Sequence, residues 1–227
     1  MSLNRLEPSV LVADQVFEAI HDAIMSGDLP AGHRLVIRDL AAELGTSVMP
    51  VREAIRRLEE AGLAEKAPYK GAVVKGLELD ELLHIYDARR LLEVEGARLG
   101  AERATSAQVA RMREEYDLML GAIEDGRVAD VLDHDEALLC TLYAASANPV
   151  LVDLIRGLWN RCRPYKIAGA RTTLESGDTA ALFAYQLGLI DAVARGDALE
   201  AARITRDSLL DATARIRTAL PEGAPTA

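Results

Sequence analysis

The spacing of hydrophobic residues predicts helices over most of the chain. Residues 10–26 form the first, and its apolar positions at helical spacing are Val12, Val16, Ala19, Ile20 and Ala23. Gly27 follows, where a left-handed residue commonly ends a helix. A short helix is predicted next over 36–45. A longer helix then runs from Ser47, its predicted N-cap, to Gly62.

Two short extended pieces follow this helix. They are LAEKA and AVVKG, and the turn sequence PYKG separates them, which predicts a small β-hairpin. A short helix, a tight turn and a longer helix make a helix-turn-helix, to which the hairpin adds a wing. Residues 1–76 are therefore predicted to form a winged helix-turn-helix domain.

From residue 78 onward the apolar pattern is helical only. The first long helix is predicted over 79–104, with apolar positions at Leu82, Ile85, Tyr86, Leu92, Val94 and Leu99. Later helices are predicted over 106–125, 127–146, 148–170, 178–195 and 197–219. The predicted fold is therefore mainly α: the winged domain, an antiparallel bundle of six to seven helices over 77–221, and a frayed tail at 222–227.

Composition supports a helical protein. Aromatic residues make up only 4% of the 227 residues, so Ala, Leu, Ile and Val must build the core. Cys140 and Cys162 are too few for a disulfide framework or a four-ligand zinc site. The chain shows neither a signal-peptide pattern nor a run of about 18 apolar residues, so we expect a cytoplasmic protein that does not bind membranes.

The net charge of −10 is unevenly distributed. Residues 1–76 hold nine Lys and Arg against eleven Asp and Glu, whereas the rest of the chain holds seventeen against twenty-five. The acidic surplus therefore lies mostly in the second domain. Since DNA responds to a local patch of charge, the overall acidity does not exclude binding to nucleic acid.

Arginines mark the longer helix of the first domain. Arg52 and Arg56 are four residues apart and share one face, where a guanidinium can bind a phosphate or the edge of guanine. The alternative is that these arginines pair with Glu53, Glu59 and Glu60 on a solvated helix. The basic turn made by Pro68, Tyr69, Lys70 and Gly71 favours DNA binding, because a wing tip reaches phosphate or the minor groove.

Both domains resemble known families. The first is similar to the winged helix-turn-helix of the GntR family of bacterial repressors in its PAG turn and in LAAELG, PVREAIRRLEEAGL and the KG wing tip. The helical remainder is similar to the FCD ligand-sensing domain of the FadR-type subfamily. That similarity lies in ARRLLEVEGARLGAERAT, ASANPVL and IDAVARGDALEAARI.

The first resemblance implies that the chain binds a double-stranded, palindromic DNA operator as a homodimer. The family's DNA-contacting positions fall on Arg38, Thr46, Ser47, Arg52, Lys70 and Gly71, and Arg56 joins them because it shares the face of Arg52. Val48 stands where the family usually has an arginine, so one DNA contact of the family is missing or moved.

The second resemblance implies a metal site that this chain has lost. Many FCD domains bind a metal through one Asp and three His. With Asn148–Pro149 as the anchor, the Asp falls on Asp135, and the histidine positions hold Leu139, Gln186 and Ser208. Leu offers no ligand, and Gln and Ser are poor ligands for transition metals, so we expect neither a metal nor another cofactor.

The same domain is expected to bind an organic effector. Arg89 stands where the family often has an arginine facing the ligand; the alternative is an Arg89–Glu93 ion pair on the helix surface. The other candidate effector-binding residues are Asp135, Leu139, Gln186 and Ser208, with the tyrosines Tyr86, Tyr143 and Tyr185 as lining or core residues. Without a metal, an acid would be held by Arg89 and neutral donors, which favours a larger, partly hydrophobic effector.

A buried Asp135 would need a hydrogen-bond donor such as Arg89, a proton, or access to solvent.

Two other classes of protein fit the sequence less well. An enzyme would need a cofactor motif, a metal or a nucleophile–base pair, and the chain has no G-x-G-x-x-G, Walker, H-E-x-x-H or G-x-S-x-G motif. A helical adaptor that binds only protein would leave the arginine face and the basic wing unexplained. The sequence therefore predicts a non-enzymatic transcriptional repressor whose operator affinity responds to a small-molecule effector.

Overall fold

The computed structural model describes residues 12–177 and 179–219. These residues divide between Gly76 and Leu77 into two compact units. The elements of the first unit are α1 (Val12–Ser26), α2 (Ile37–Glu43), α3 (Val48–Glu60), β1 (Ala64–Ala67) and β2 (Gly71–Val74). Their order confirms the predicted winged helix-turn-helix.

The core of the first unit lies between α1 and α3. Val16, Ile20 and Ile24 lie on successive turns of α1 and are buried. The residues of α3 that are buried in the same cluster are Val51, Ala54, Ile55 and Leu58. The predicted stripe on α1 was partly wrong, because Val12 in the first turn and Ala19 on the flank are exposed.

The two strands form an antiparallel hairpin with a three-residue tip. Ala64 pairs with Val74 and Ala67 with Gly71. The segment before α2 docks on β2, since the Leu35 N–H donates to the Ala72 carbonyl at 2.9 Å. At the tip, Gly71 has a φ of 76° and Tyr69 a φ of 61°. Glycine adopts a positive φ easily, whereas tyrosine does so uncommonly. The two positive φ angles show that the backbone turns tightly at the wing tip.

The second unit is helical throughout its described residues. Its elements are α4 (Leu79–Arg103), α5 (Ser106–Glu124), α6 (Val128–Ala144), α7 (Pro149–Ser176), α8 (Ala180–Phe183), α9 (Gln186–Ala194) and α10 (Ala198–Ala219). Helix α4 is central, because it contacts α6, α7, α9 and α10. Among the described residues, no helix is long and apolar enough to span a membrane.

Two predicted helix boundaries were wrong. Helix α7 continues past residue 170 to Ser176, in turns that are mostly polar and hold a single apolar residue, Leu174. There the hydroxyls of Thr172 and Thr173 donate to carbonyls four residues earlier. It also contains Pro164, which lacks a backbone N–H. The helix predicted over 178–195 is broken into α8 and α9. The predicted tail at 222–227 lies outside the described residues.

The buried face of α4 differs from the predicted apolar stripe. Leu82, Ile85 and Tyr86 are buried as predicted, whereas Leu92, Val94 and Leu99 are only half-buried. Beyond Tyr86 the buried residues of α4 are Arg89, Glu93, Gly96, Ala97, Gly100 and Ala101. This face is polar or small, so hydrophobicity alone could not find it.

The glycines of this face let α6 approach closely. A Cβ on Gly100 would overlap the backbone oxygen of Leu142 and lie 2.9 Å from its Cδ1. A Cβ on Gly96 would lie 3.1 Å from Cδ1 of Tyr143. The backbone of α6 therefore packs against α4 at a distance that only glycine permits at position 100.

We expect Gly100→Ala to lower the free energy of unfolding by about 1–3 kcal/mol, because the new methyl group meets backbone that cannot rotate away. Gly157→Ala on α7 is the matched control, since a Cβ there has no atom within 4 Å. The control should gain roughly 0.5–1 kcal/mol from helix propensity. Urea unfolding of both variants measures the difference, and equal stabilities would contradict the close approach of α4 and α6.

Candidate DNA interface and candidate effector cavity

The two predicted DNA-binding arginines of α3 have different surroundings. Arg52 is exposed and forms no ion pair within the described ranges. Arg56 is also exposed, but its Nε donates to Glu53 Oε2 at 3.1 Å and its guanidinium also pairs with Glu60. The hydrogen bond from Arg56 lowers the pKa of the Glu53 carboxyl. The alternative of pairing with nearby glutamates therefore describes Arg56 and not Arg52.

A third arginine of α3 joins two helices. Arg57 Nη1 lies 2.6 Å from Asp14 Oδ1 on α1, and the guanidinium carbon lies 4.3 Å from the centre of the Phe17 ring. The ion pair and the cation–π contact hold α3 against α1. Arg57 thus has a structural role that sequence spacing within α3 could not indicate.

The start of α3 is open to solvent. Ser47 occupies the N-cap position as predicted, but its hydroxyl makes no capping hydrogen bond. Thr46 before it is half-buried, whereas Val48 and Met49 after it are exposed. Because the first N–H groups of a helix lack intrahelical partners and carry partial positive charge, this end of α3 suits a phosphate.

The remaining predicted DNA contacts lie on α2 and the wing. Arg38 and Lys70 are exposed and, like Arg52, form no ion pair with another described residue. Arg34 Nε donates to the Lys70 carbonyl at 3.3 Å, which ties the wing tip to the segment before α2. Tyr69 at the tip is fully exposed. The sequence analysis treated Tyr69 only as part of the turn, although an aromatic residue between Pro68 and Lys70 could have marked it as a candidate DNA contact.

The second unit contains a cavity of about 570 Å³ that is partly open to solvent. The five residues predicted for effector binding all line it, although they come from four helices: Arg89 of α4, Asp135 and Leu139 of α6, Gln186 of α9 and Ser208 of α10. The predicted tyrosines Tyr86, Tyr143 and Tyr185 also line it. The fold thus brings together predicted residues that lie up to 122 positions apart in the sequence, from Tyr86 to Ser208.

Glu93 binds three donors in the wall of this cavity. Arg89 Nε lies 2.7 Å and Trp159 Nε1 2.8 Å from Glu93 Oε1, and the Tyr143 hydroxyl donates to Oε2 at 3.1 Å. Burial, and next the Glu93 carboxylate, raise the pKa of Tyr143 well above its ordinary value, so its hydroxyl remains a donor. The Arg89–Glu93 pair considered from the sequence therefore exists, but in the buried wall and not on the surface.

Asp135 has two partners, neither of which is Arg89. Gln186 Nε2 donates to Asp135 Oδ1 at 2.8 Å, and Lys166 Nζ lies 3.8 Å from Oδ2. Burial raises the pKa of Asp135, whereas the Lys166 ammonium and the Gln186 hydrogen bond act against that rise. Asp135 thus pairs with donors, as expected, but its cation is Lys166.

Sequence reasoning missed Lys166. Its side chain lines the cavity and is 14% exposed. No motif marked it, although it is the only lysine after residue 76. Its being a lysine in a domain whose other basic residues are arginines and histidines was the one feature of the sequence that could have drawn attention to it.

The residues at the family's metal positions do not suit a metal ion. The Asp135 carboxylate already binds Gln186 and Lys166, and the Gln186 amide turns its N–H, not its oxygen, toward Asp135. Leu139 has no donor atom, and the Lys166 ammonium would repel a cation beside Asp135. Across the described parts of the chain, no group of three or more His, Cys, Asp or Glu side chains could hold a metal.

Comparison with known proteins gives matches over both units. Residues 12–74 match the family "Bacterial regulatory proteins, gntR family", and residues 84–211 match the FCD domain. The HTH-type transcriptional regulator McbR of Escherichia coli (strain K12) is 29% identical over 150 residues, which cover 66% of this chain and 68% of McbR. The Nta operon transcriptional regulator of Aminobacter aminovorans is 33% identical over 134 residues, covering 58% and 62% of the two chains.

Solved structures share the whole fold. E. coli McbR/YncC has a TM-score of 0.79 at 24% identity, covering 93% of this chain and 99% of that one. A putative GntR transcriptional regulator from Rhodococcus sp. RHA1 has a TM-score of 0.80 at 25% identity, covering 92% and 99%. The order of a winged domain and a helical domain is therefore common to these proteins.

We expect Glu93→Gln to lower the free energy of unfolding by about 3–5 kcal/mol, because it leaves the buried Arg89 cation without a counter-charge. Glu95→Gln is the matched control on the same helix. Its carboxylate pairs with Arg98 at the surface, where solvent screens the interaction, so stability should change little. Urea unfolding at neutral pH measures both, and similar losses would show that the Glu93 network does not stabilise the fold.

Proposed function

Because this chain belongs to the GntR family of bacterial regulatory proteins and carries an FCD domain, we propose that it represses transcription under the control of an organic effector. The first unit binds a DNA operator, and the cavity of the second unit binds the effector. The effector changes operator affinity through a coupling free energy of about 1–3 kcal/mol, the usual range for such linkage.

Three exposed cations support the DNA-binding part of the proposal. Arg38, Arg52 and Lys70 form no ion pairs in the described structure, so no internal bond must break before they meet phosphate or a base. Arg52 can bind guanine through two parallel hydrogen bonds from α3. Lys70 and Gly71 at the wing tip would contact the backbone or the minor groove. Arg56 would first have to exchange its glutamates, so its contribution to binding is smaller.

The observation that carries the effector part is the convergence of the five predicted residues on one cavity. Its volume falls within the range of small-molecule sites, roughly 300–1,000 Å³. Apolar side chains dominate much of the wall, among them Leu132, Leu139, Leu189 and Ile204. This lining supports an organic effector with a hydrophobic part, and buried cations in the same wall support an acid.

Selection of genomic DNA fragments by the purified protein tests the function directly. We expect specific fragments to be retained and retention to weaken steeply with salt, because bound phosphates release counterions. A reporter gene placed behind a retained fragment should lose expression when the chain is produced. Activation of the reporter would contradict repression, and absence of any specific fragment would contradict DNA recognition.

On a retained fragment, Arg52→Ala should weaken binding by about 10- to 100-fold, equivalent to about 1–3 kcal/mol for one bidentate base contact. Arg56→Ala should lose less, since that side chain is already paired. Lys70→Ala should reduce the salt dependence without altering sequence preference. Arg171→Ala, an exposed change on α7, is the control. Fluorescence anisotropy measures all four, and unchanged affinity of Arg52→Ala would rule out its assigned role.

We also propose that the chain acts as a homodimer. One winged module offers few contacts, and two modules can read the two halves of a palindromic operator. Sedimentation at micromolar concentration should give twice the chain mass of 24.5 kDa. A species of one chain mass, both alone and on a retained fragment, would contradict the dimer.

A further inference from the structure

Two polar groups in the cavity wall make fewer or longer hydrogen bonds than groups shielded from water normally make. Thr205 is 5% exposed, and its hydroxyl has no hydrogen-bond partner among the described residues. The Lys166 ammonium has three donors, yet its nearest carboxylate oxygens are Glu136 Oε1 at 3.5 Å and Asp135 Oδ2 at 3.8 Å. Charge-assisted hydrogen bonds are usually about 2.7–2.9 Å long, so Lys166 retains unused capacity.

The charges on the cavity wall balance, apart from one arginine that is exposed to solvent. The cationic side chains that line the cavity are Arg89, Lys166 and Arg215, and the anionic ones are Glu93 and Asp135. Glu136 also approaches Lys166, and it shares Arg163 with Asp133, at 3.1 Å and 2.5 Å respectively. An anionic ligand would therefore need a cation of the wall whose hydrogen bonds are not already taken by the protein.

Lys166 is the buried cation best able to meet that charge. Arg89 is committed to Glu93 through Nε, and its Nη1 lies 3.7 Å from the Cys162 sulfur. Arg215 is exposed to solvent. Lys166 is held in place by the two carboxylates and by the face of Trp159, whose centre lies 6.0 Å from Nζ.

We propose that Lys166 is the anion-binding residue of the effector site, and that the effector is an organic monoanion with a largely apolar body, bound without a metal ion. This inference rests on the proposed function and deepens it. The sequence analysis assigned binding of the anion to Arg89. Because Arg89 is bonded to Glu93, whereas the contacts of Lys166 are longer, we assign it to Lys166. Asp135 acts as a positioning residue that holds the ammonium at the cavity wall.

The wall also limits the rest of the ligand. A second carboxylate would meet Asp135 or Glu93 without a free buried cation, so a single acid group fits better than two. The apolar residues Leu189, Ile204 and Leu209 line the cavity and suit a hydrocarbon chain or ring. The Thr205 hydroxyl can bind one further polar atom of the ligand.

Ligand-observed NMR on the full chain tests the proposal with butyrate, octanoate, benzoate and phenylacetate, each compared with its uncharged amide. At least one acid should bind about tenfold or more tightly than its amide, the effect of one hydrogen bond to a charged group. Lys166→Met should abolish this preference while leaving amide binding unchanged, and Lys166→Arg should retain part of it. Arg171→Gln, an exposed change on α7 outside the cavity wall, is the matched control.

Folding defects do not obscure the result. The acid–amide comparison uses the unchanged protein, and Lys166→Met combined with Asp135→Asn removes both members of the ion pair, so no buried charge is left alone. Circular dichroism confirms that the variants fold. If no acid binds more tightly than its amide, or if Lys166→Met keeps the preference, the proposal is wrong.

Three results would separate this inference from others. One equivalent of zinc, nickel or manganese per chain, lost on Asp135→Ala, would overturn metal-free binding. Amides that bind as well as acids would overturn only the role of Lys166 and leave an effector site in place. If the unchanged protein retains no specific DNA fragment, the proposed function itself is contradicted.

Discussion

A carboxylate removed from water must find donors within the protein, and two such carboxylates organise the helical unit. Glu93 on α4 binds Tyr143 of α6 and Trp159 of α7. Asp135 on α6 binds Gln186 of α9 and pairs with Lys166 of α7. Each anion therefore fixes the relative positions of three helices. Both carboxylates line the cavity, so its shape depends on both groups of contacts.

Close backbone packing complements this polar framework. Gly96 and Gly100 lie one turn apart on α4 and admit α6, which carries both Tyr143 and Asp135. A larger residue at position 100 would push α6 away and lengthen the Tyr143–Glu93 hydrogen bond. The close packing at Gly100 and the Tyr143–Glu93 hydrogen bond thus join the same two helices, α4 and α6, so a change in one contact would also affect the other.

Much of the architecture could be predicted because helices, turns and the wing have local signals. The cavity residues Asp135, Leu139, Gln186 and Ser208 could be identified only through a family resemblance, since no local pattern connects them. Lys166 could not be found this way, because its importance comes from Asp135, thirty-one positions earlier and on another helix. The different surroundings of Arg52 and Arg56 also depend on side-chain geometry, which spacing on a helical face does not determine.

The pairing of Lys166 with Asp135 has a consequence for how such a site can change over evolutionary time. Introducing histidines at positions 139, 186 and 208 would rebuild three ligands, yet the ammonium beside Asp135 would still repel the incoming ion. Those three substitutions would bring little benefit until position 166 had first become neutral. The lysine therefore opposes the return of a metal ion: while its ammonium lies beside Asp135, histidines at the other three positions would share their metal site with a cation.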